Sequence, residues 1–221
     1  MSPSVQRTLA FNLLTWWHPG TGRGDGVTAD AVVRKGKEDK LPFLPGRTVK
    51  GLVREACRVG AAAGVLDSAT LEDLFGTGPP KQGESPEHNE FKRVRALEQA
   101  RFGTKKGDLR FSSAHLGATR NEQDDWSSWA RWRDREDESR VTPELYGYVS
   151  QTAICRDTGI AKDQTLRTIE VVVPMTLHAF ITGSNATPWD AIDESVRLFL
   201  RTLGSHRNRG FGRVDAHLVT P

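Results

Sequence analysis

The chain has 221 residues, 37% of them hydrophobic and 27% charged, a composition that excludes wholesale disorder and is enough for one folded domain with a substantial apolar interior. Its net charge of +3, from 31 Lys and Arg against 28 Asp and Glu, does not by itself assign a nucleic-acid partner. The opening MSPSVQRTLAFNLLTWW lacks a basic region followed by a long apolar run, and no segment is apolar for the length of a membrane span, so we expect a cytoplasmic protein with no membrane partner.

Alternation of Leu9, Phe11 and Leu13 predicts a first strand over Gln6 to Trp16. It runs into HPGTGRGDG, whose four glycines and Pro19 predict a surface loop. In LPFLPGRTVKGLVREACRVGAAAG, Pro42, Pro45 and Gly46 make a turn and Thr48 is the expected cap. Val49, Leu52, Val53, Ala56 and Ala63 then form the buried stripe of a first helix. SATLEDLF predicts a short helix capped by Ser68, and the polar, Pro- and Gly-rich run from Gly76 to Asn89 reads as a loop. A second strand is expected over Asp108 to Leu116.

The stretch from Gly117 to Leu166 is too long for an ordinary connection and reads as an insertion. Within it Trp126, Trp129 and Trp132 recur every third residue, a spacing suited to packing a helix on a core or to stacking on bases. RTIEVVVPMTLHAFITG predicts one long strand with an edge or bulge at Pro174. TPWDAIDESVRLFLRTLGS predicts a second main helix, capped by Thr187, with Pro188 in its first position. Its buried stripe is Ile192, Val196, Phe199, Leu200 and Leu203, and Gly204 ends it. GRVDAHLV returns as a last strand. The order strand, helix, strand, strand, helix, strand predicts an α+β, ferredoxin-like βαββαβ fold, the arrangement of RNA-recognition modules, in a single domain over 1–221.

Charge is segregated along this order. Arg34 to Arg54 holds seven basic residues against two acidic ones, whereas Glu122 to Glu138 is acid-rich. Arg47, Lys50 and Arg54 fall at the amino end of the first helix, where the dipole favours phosphate; the alternative is a solvated helix face. In LGSHRNRGFGRV, His206, Arg207, Arg209 and Arg213 are interleaved with Gly204, Gly210 and Gly212, with Asn208 between. Glycines that free the backbone let amides and guanidinium forks converge on an anion, as RNA backbone requires; a helix stop followed by a solvated turn is the alternative. Cys57 and Cys155 lack metal-ligand spacing and suit buried thiols in a reducing compartment. No histidine pair has zinc spacing, and no Walker loop or nucleophile elbow is present.

LPFLPGRTVKGLVREACR, YVSQTAICRDTGIAKDQTLRTIE with its Thr158, Gly159 and Ala161, and LGSHRNRGFGRV together resemble the RAMP superfamily of CRISPR-associated proteins, in particular the backbone, Cas7-like subunits of type III effector complexes. HPGTGRGDG and FGTKKGDLRFSSAHL complete the ordered set across almost the whole chain. The resemblance implies a ferredoxin-like palm, a thumb supplied by 117–166, and RNA contacts from Arg47, Lys50, Arg54, Gly204, His206, Arg207, Asn208, Arg209, Gly210 and Arg213. It implies guide RNA, target RNA, other effector subunits and copies of the same chain as partners.

In active members an aspartate of the loop after the first strand supports metal-dependent cleavage of target RNA. Asp25 is then the catalytic and metal-holding candidate, for Mg2+, and Asp30 the second. The family pattern puts its aspartate nearer the His-x-Gly motif, where this chain has Arg23; at Asp25 the alternative role is turn formation beside Gly24 and Gly26. Two other roles stay open: a non-catalytic binding or end-capping subunit, and a guide-processing endoribonuclease acting without metal through His18 or His206.

Overall fold

The computed structural model describes residues 4–37, 40–76, 106–116 and 142–219. β1 (Ser4–Leu13) is the centre of the main sheet: it pairs antiparallel with β6 (Thr176–Ser184) on one side and with β7 (Val214–Val219) on the other. Two short strands, β2 (Arg110–Phe111) and β3 (His115–Leu116), both join β6 on its far edge. The order is β2–β6–β1–β7, antiparallel throughout. The described chain is a mixed α/β protein with antiparallel sheets.

Period-two alternation decides the faces. Leu9, Phe11 and Leu13 of β1, Leu177, Ala179 and Ile181 of β6, and Val214, Ala216 and Leu218 of β7 are buried in one core. On that face lie α1 (Gly46–Ala62), through Val49, Val53, Ala56 and Cys57, and α3 (Trp189–Phe199), through Ile192 and Val196. The helices approach each other at Gly60, where an added Cβ would lie 2.3 Å from Ser195 Oγ. The short α2 (Ser68–Phe75) closes the edge with Leu74 and Phe75. The opposite face carries Thr8, Ala10 and Asn12 beside Thr176, His178 and Phe180, in register with Asp215 and His217.

The structure departs from the sequence reading at several points. The run expected as one strand splits at Pro174 into β5 (Arg167–Val172) and β6, because proline has no N–H to continue a ladder. β5 pairs with β4 (Tyr146–Gln151) in a separate ribbon that continues through the Ile154–Ala161 bridge. β4 escaped prediction because it is half-exposed and carries one aliphatic residue, Val149. The second expected strand is interrupted where Ala114 turns away to exchange hydrogen bonds with Leu44.

None of the three predicted side-chain caps forms. Pro45, Asp67 and Pro188 hold the cap positions without a side-chain bond; Thr48 and Ser68 lie inside their helices, and Thr187 Oγ1 instead accepts the Ser184 N–H at 3.0 Å. Ala63, expected on the buried stripe, is exposed just past the end of α1. α3 stops at Phe199, before Gly204, and beyond it Thr202 forms an isolated bridge with Arg213. The Gly76 to Asn89 loop beyond its first residue, and the Trp126, Trp129 and Trp132 stripe, lie outside the described residues.

Candidate nucleic-acid interface

The two predicted basic elements both border the main sheet. β1 finishes at Leu13 opposite Val214, the first residue of β7, so the segment joining α3 to β7 must lie at that end. α1 starts beside the β2–β3 edge: Leu44 bridges Ala114, next to His115, which pairs with His178, and the Gly46 N–H donates to Ser113 Oγ. Arg47 is exposed and Lys50 and Arg54 are half-buried on α1, whose first turn holds no acidic residue; Glu55, next to Arg54, pairs with Arg58. Arg207, Asn208, Arg209 and Arg213 are exposed. Among the described residues, the ion pairs join Lys35 to Glu170, Arg58 to Glu55 and Arg197 to Asp193, leaving all six of these cations without an acidic partner. Unpaired cations beside the positive pole of a helix attract a polyanion.

The loop between α3 and β7 is tightly built. Arg207–Arg209 form a single 3-10 turn, flanked by His206 at φ 58° and Gly210 at φ 85°, both left-handed. Its two arms are clamped: the Leu203 N–H donates to Gly212 O at 2.9 Å, the Gly212 N–H to Trp16 O at 2.8 Å, and the Ser205 N–H to His18 O at 2.9 Å. The Arg213 N–H donates to Thr15 Oγ1 at 3.0 Å. At Gly212 an added Cβ would fall 1.9 Å from Leu203 O, and at Gly204 2.8 Å from His18 O. Gly212 and Gly204, expected to free the backbone, therefore serve close approach, at the left-handed φ values of +69° and +84°.

Under this loop sits a buried polar hub that sequence reading missed. His18, 3% exposed, places Nδ1 2.6 Å from Glu170 O, and because a carbonyl only accepts, Nδ1 carries a proton and donates it there. The Glu170 carboxylate, also buried, accepts the Val33 N–H at 3.0 Å and pairs with Lys35 Nζ at 2.6 Å. Lys35 Nζ lies 3.9 Å from the centre of the Tyr146 ring. The available signal was one carboxylate inside TIEVVV: a charge in an apolar strand needs a partner. The hub ties the segment after β1 to the β4–β5 ribbon.

The His206 ring meets His18 edge-to-face at 5.6 Å. Burial, then the neighbouring His18 and Arg209, holds His206 below the ordinary imidazole range.

Asp25 builds the loop after β1. Its Oδ1 accepts N–H bonds from Val27, Thr28 and Ala29 at 3.0, 2.8 and 2.9 Å, and these bonds, that of Ala29 first, lower its carboxyl pKa. Asp30 Oδ2 accepts the Thr168 N–H at 2.8 Å and pins the same loop to β5. Beside them a shallow depression of about 540 Å³ is lined by Gly24, Val27, Asp30, Leu166 and Thr168 among others. Magnesium prefers six oxygen ligands in octahedral order. Among the described residues no group of three or more His, Cys, Asp or Glu could hold a metal. With Oδ1 of Asp25 saturated and Asp30 bonded to β5, these residues do not form a metal site of their own.

Among the described residues no helix is long and apolar enough to cross a membrane, and Cys57 and Cys155 are free thiols.

The sequence model of the RAMP superfamily matches residues 11–215. No curated protein sequence matches the chain. Among solved structures, the chain is similar to one in the cryo-EM structure of the Type III-B Cmr-beta bound to cognate target RNA, with a TM-score of 0.63, 12% identity and 97% of each chain covered. It is also similar to a chain in the apo state of Type III-B Cmr-beta, with a TM-score of 0.61, 12% identity and 98% of each chain covered. At that identity the likeness is one of fold.

Proposed function

The chain belongs to the RAMP superfamily, and from that premise we propose that it is an RNA-binding subunit of a type III effector complex, holding a CRISPR guide RNA along its sugar-phosphate backbone and ordering guide–target pairing. The observation that carries this reading is the pair of basic elements, the start of α1 and the Arg207–Arg209 turn, whose cations have no acidic partner among the described residues. The similar fold in a complex bound to target RNA supports it. We read the antiparallel order β2–β6–β1–β7, with α1 and α3 on one face, as a ferredoxin-like palm. Residues 117–166 are then its thumb. Other effector subunits and copies of this chain are its partners, in the cytoplasm.

Arginine forks and Lys50 meet phosphate oxygens, so binding depends little on base sequence. Effector assemblies purified through a tag on this chain are expected to carry nuclease-protected RNA of uniform length. Assemblies free of RNA, or RNA retained equally when Lys50, Arg207 and Arg209 are all changed to Ala, contradict the reading.

A second reading adds target cleavage, supported by the exposed, ionised Asp25. Mg2+ would have to draw most of its oxygens from RNA phosphates and water, because Asp25 and Asp30 do not hold it alone. Asp25→Asn separates the two: it keeps an acceptor for the three N–H groups and removes the charge. Cleavage of target RNA in magnesium that is lost in Asp25→Asn, with guide retained, supports cutting here; unchanged cutting removes Asp25 from that chemistry. The burial of His18, with Nδ1 committed to Glu170 O, argues against metal-free guide processing through that residue.

A further inference from the structure

The Arg207–Arg209 turn has no apolar anchor of its own; none of its residues is buried. What fixes its direction is the segment it rests on. His18 touches the loop twice, through its carbonyl, which accepts the Ser205 N–H at 2.9 Å, and through its ring, which meets His206 edge-to-face at 5.6 Å. Gly204 and Gly20 are both packed against it: an added Cβ would lie 2.8 Å from His18 O at the first and 2.7 Å from His18 Nε2 at the second. The ring is held in turn by Glu170 O, on a strand whose own carboxylate is locked by Lys35 and the Val33 N–H. His206 is thereby kept at φ 58°, a conformation that a non-glycine residue seldom adopts without tertiary support.

We propose that His18 is the positioning residue of the RNA-binding loop: braced by Glu170 O, it sets the orientation in which Arg207 and Arg209 face the RNA backbone. His18 touches no RNA in this account; its effect passes through Ser205 and His206. The proposal rests on the reading that this loop binds RNA.

The side-chain bond and the ring can be separated by substitution. Asn places its Nδ2 donor close to where the imidazole Nδ1–H stands, so His18→Asn keeps the brace to Glu170 O and loses only the ring edge. His18→Ala loses both. The test uses the full chain and a fluorescent single-stranded RNA, with thermal unfolding followed in parallel. An NMR titration of the His206 imidazole reports whether the loop remains docked. The charged and titratable groups acting on that ring are His18 and Arg209.

The expected result is a cooperatively folded His18→Ala that binds RNA about tenfold more weakly, the loss of one charge-assisted hydrogen bond. Its His206 midpoint rises toward the ordinary imidazole value of about 6.5. His18→Asn keeps affinity within about threefold of the parent, a change of under 1 kcal/mol by RT ln 3. If His18→Ala fails to fold, His18→Asn alone decides: near-parent affinity upholds the brace, and a full tenfold loss overturns it. Parent-like binding by His18→Ala, while Arg207→Ala with Arg209→Ala binds weakly, overturns the positioning role and leaves the RNA reading standing. Parent-like binding by the double arginine variant overturns the RNA reading and the positioning role with it.

Discussion

At the scale of single residues, the glycines of the loop have distinct jobs that the sequence shows only as a shared letter. Gly210 and Gly212 are both left-handed, but nothing lies within 4 Å of an added Cβ at Gly210, whereas at Gly212 it would meet Leu203 O at 1.9 Å. Gly210→Ala is therefore expected to cost about 1 kcal/mol of backbone strain, and Gly212→Ala at least about 2 kcal/mol more because the clamp must open. Urea unfolding of both variants checks the order; equal losses contradict it. Two histidines supply a pH dependence. Burial first, and then His217, holds His178 below the ordinary imidazole range, as burial and then His18 and Arg209 do for His206. Both rings bind protons less readily folded than unfolded, so their contribution to stability is complete above about pH 6.5 and is lost as the pH falls below it. The Tm should drop between about pH 7.5 and pH 5.5, and drop less in a His178→Gln, His206→Asn variant. A Tm flat across that range in the parent contradicts the assignment. Arg207, Arg209 and Asp25 stood out in the sequence by local pattern, whereas Glu170 and the packing role of His18 depend on partners more than a hundred residues away.

At the scale of elements, periodicity identified both long helices, because each buries one stripe against the sheet. Ile192 at 0% exposure and Leu198 at 46% sit on opposite sides of α3. Ile192→Ala is expected to cost about 2–5 kcal/mol and Leu198→Ala within about 0.5 kcal/mol of zero, measured by denaturant unfolding. Helix ends were less legible than helix bodies: a threonine beside a proline looks like a cap, but Thr187 bonds back to Ser184 and α3 starts from Pro188 without a side-chain cap. Strand identity was misjudged where burial is one-sided or partial. β4 has two half-buried tyrosine and valine positions, Tyr146 and Val149, beside the exposed Tyr148, too weak a pattern to detect alone. The break at Pro174 was visible, but that it sends the chain into a different sheet is a tertiary fact.

At the scale of the whole molecule, β1 lies between β6 and β7, while the strands that follow α1, β2 and β3, pair with β6. On the proposed reading, the two basic stretches together supply the cations that a phosphate backbone meets. The direct measurement is RNA affinity against salt, for the parent and for Arg207→Ala with Arg209→Ala, using single-stranded RNA of several unrelated sequences. The account predicts little sequence preference, a steep fall of affinity with salt in the parent, and a log–log slope shallower by about 0.7 for each phosphate contact removed. The same slope and affinity in parent and variant would contradict it.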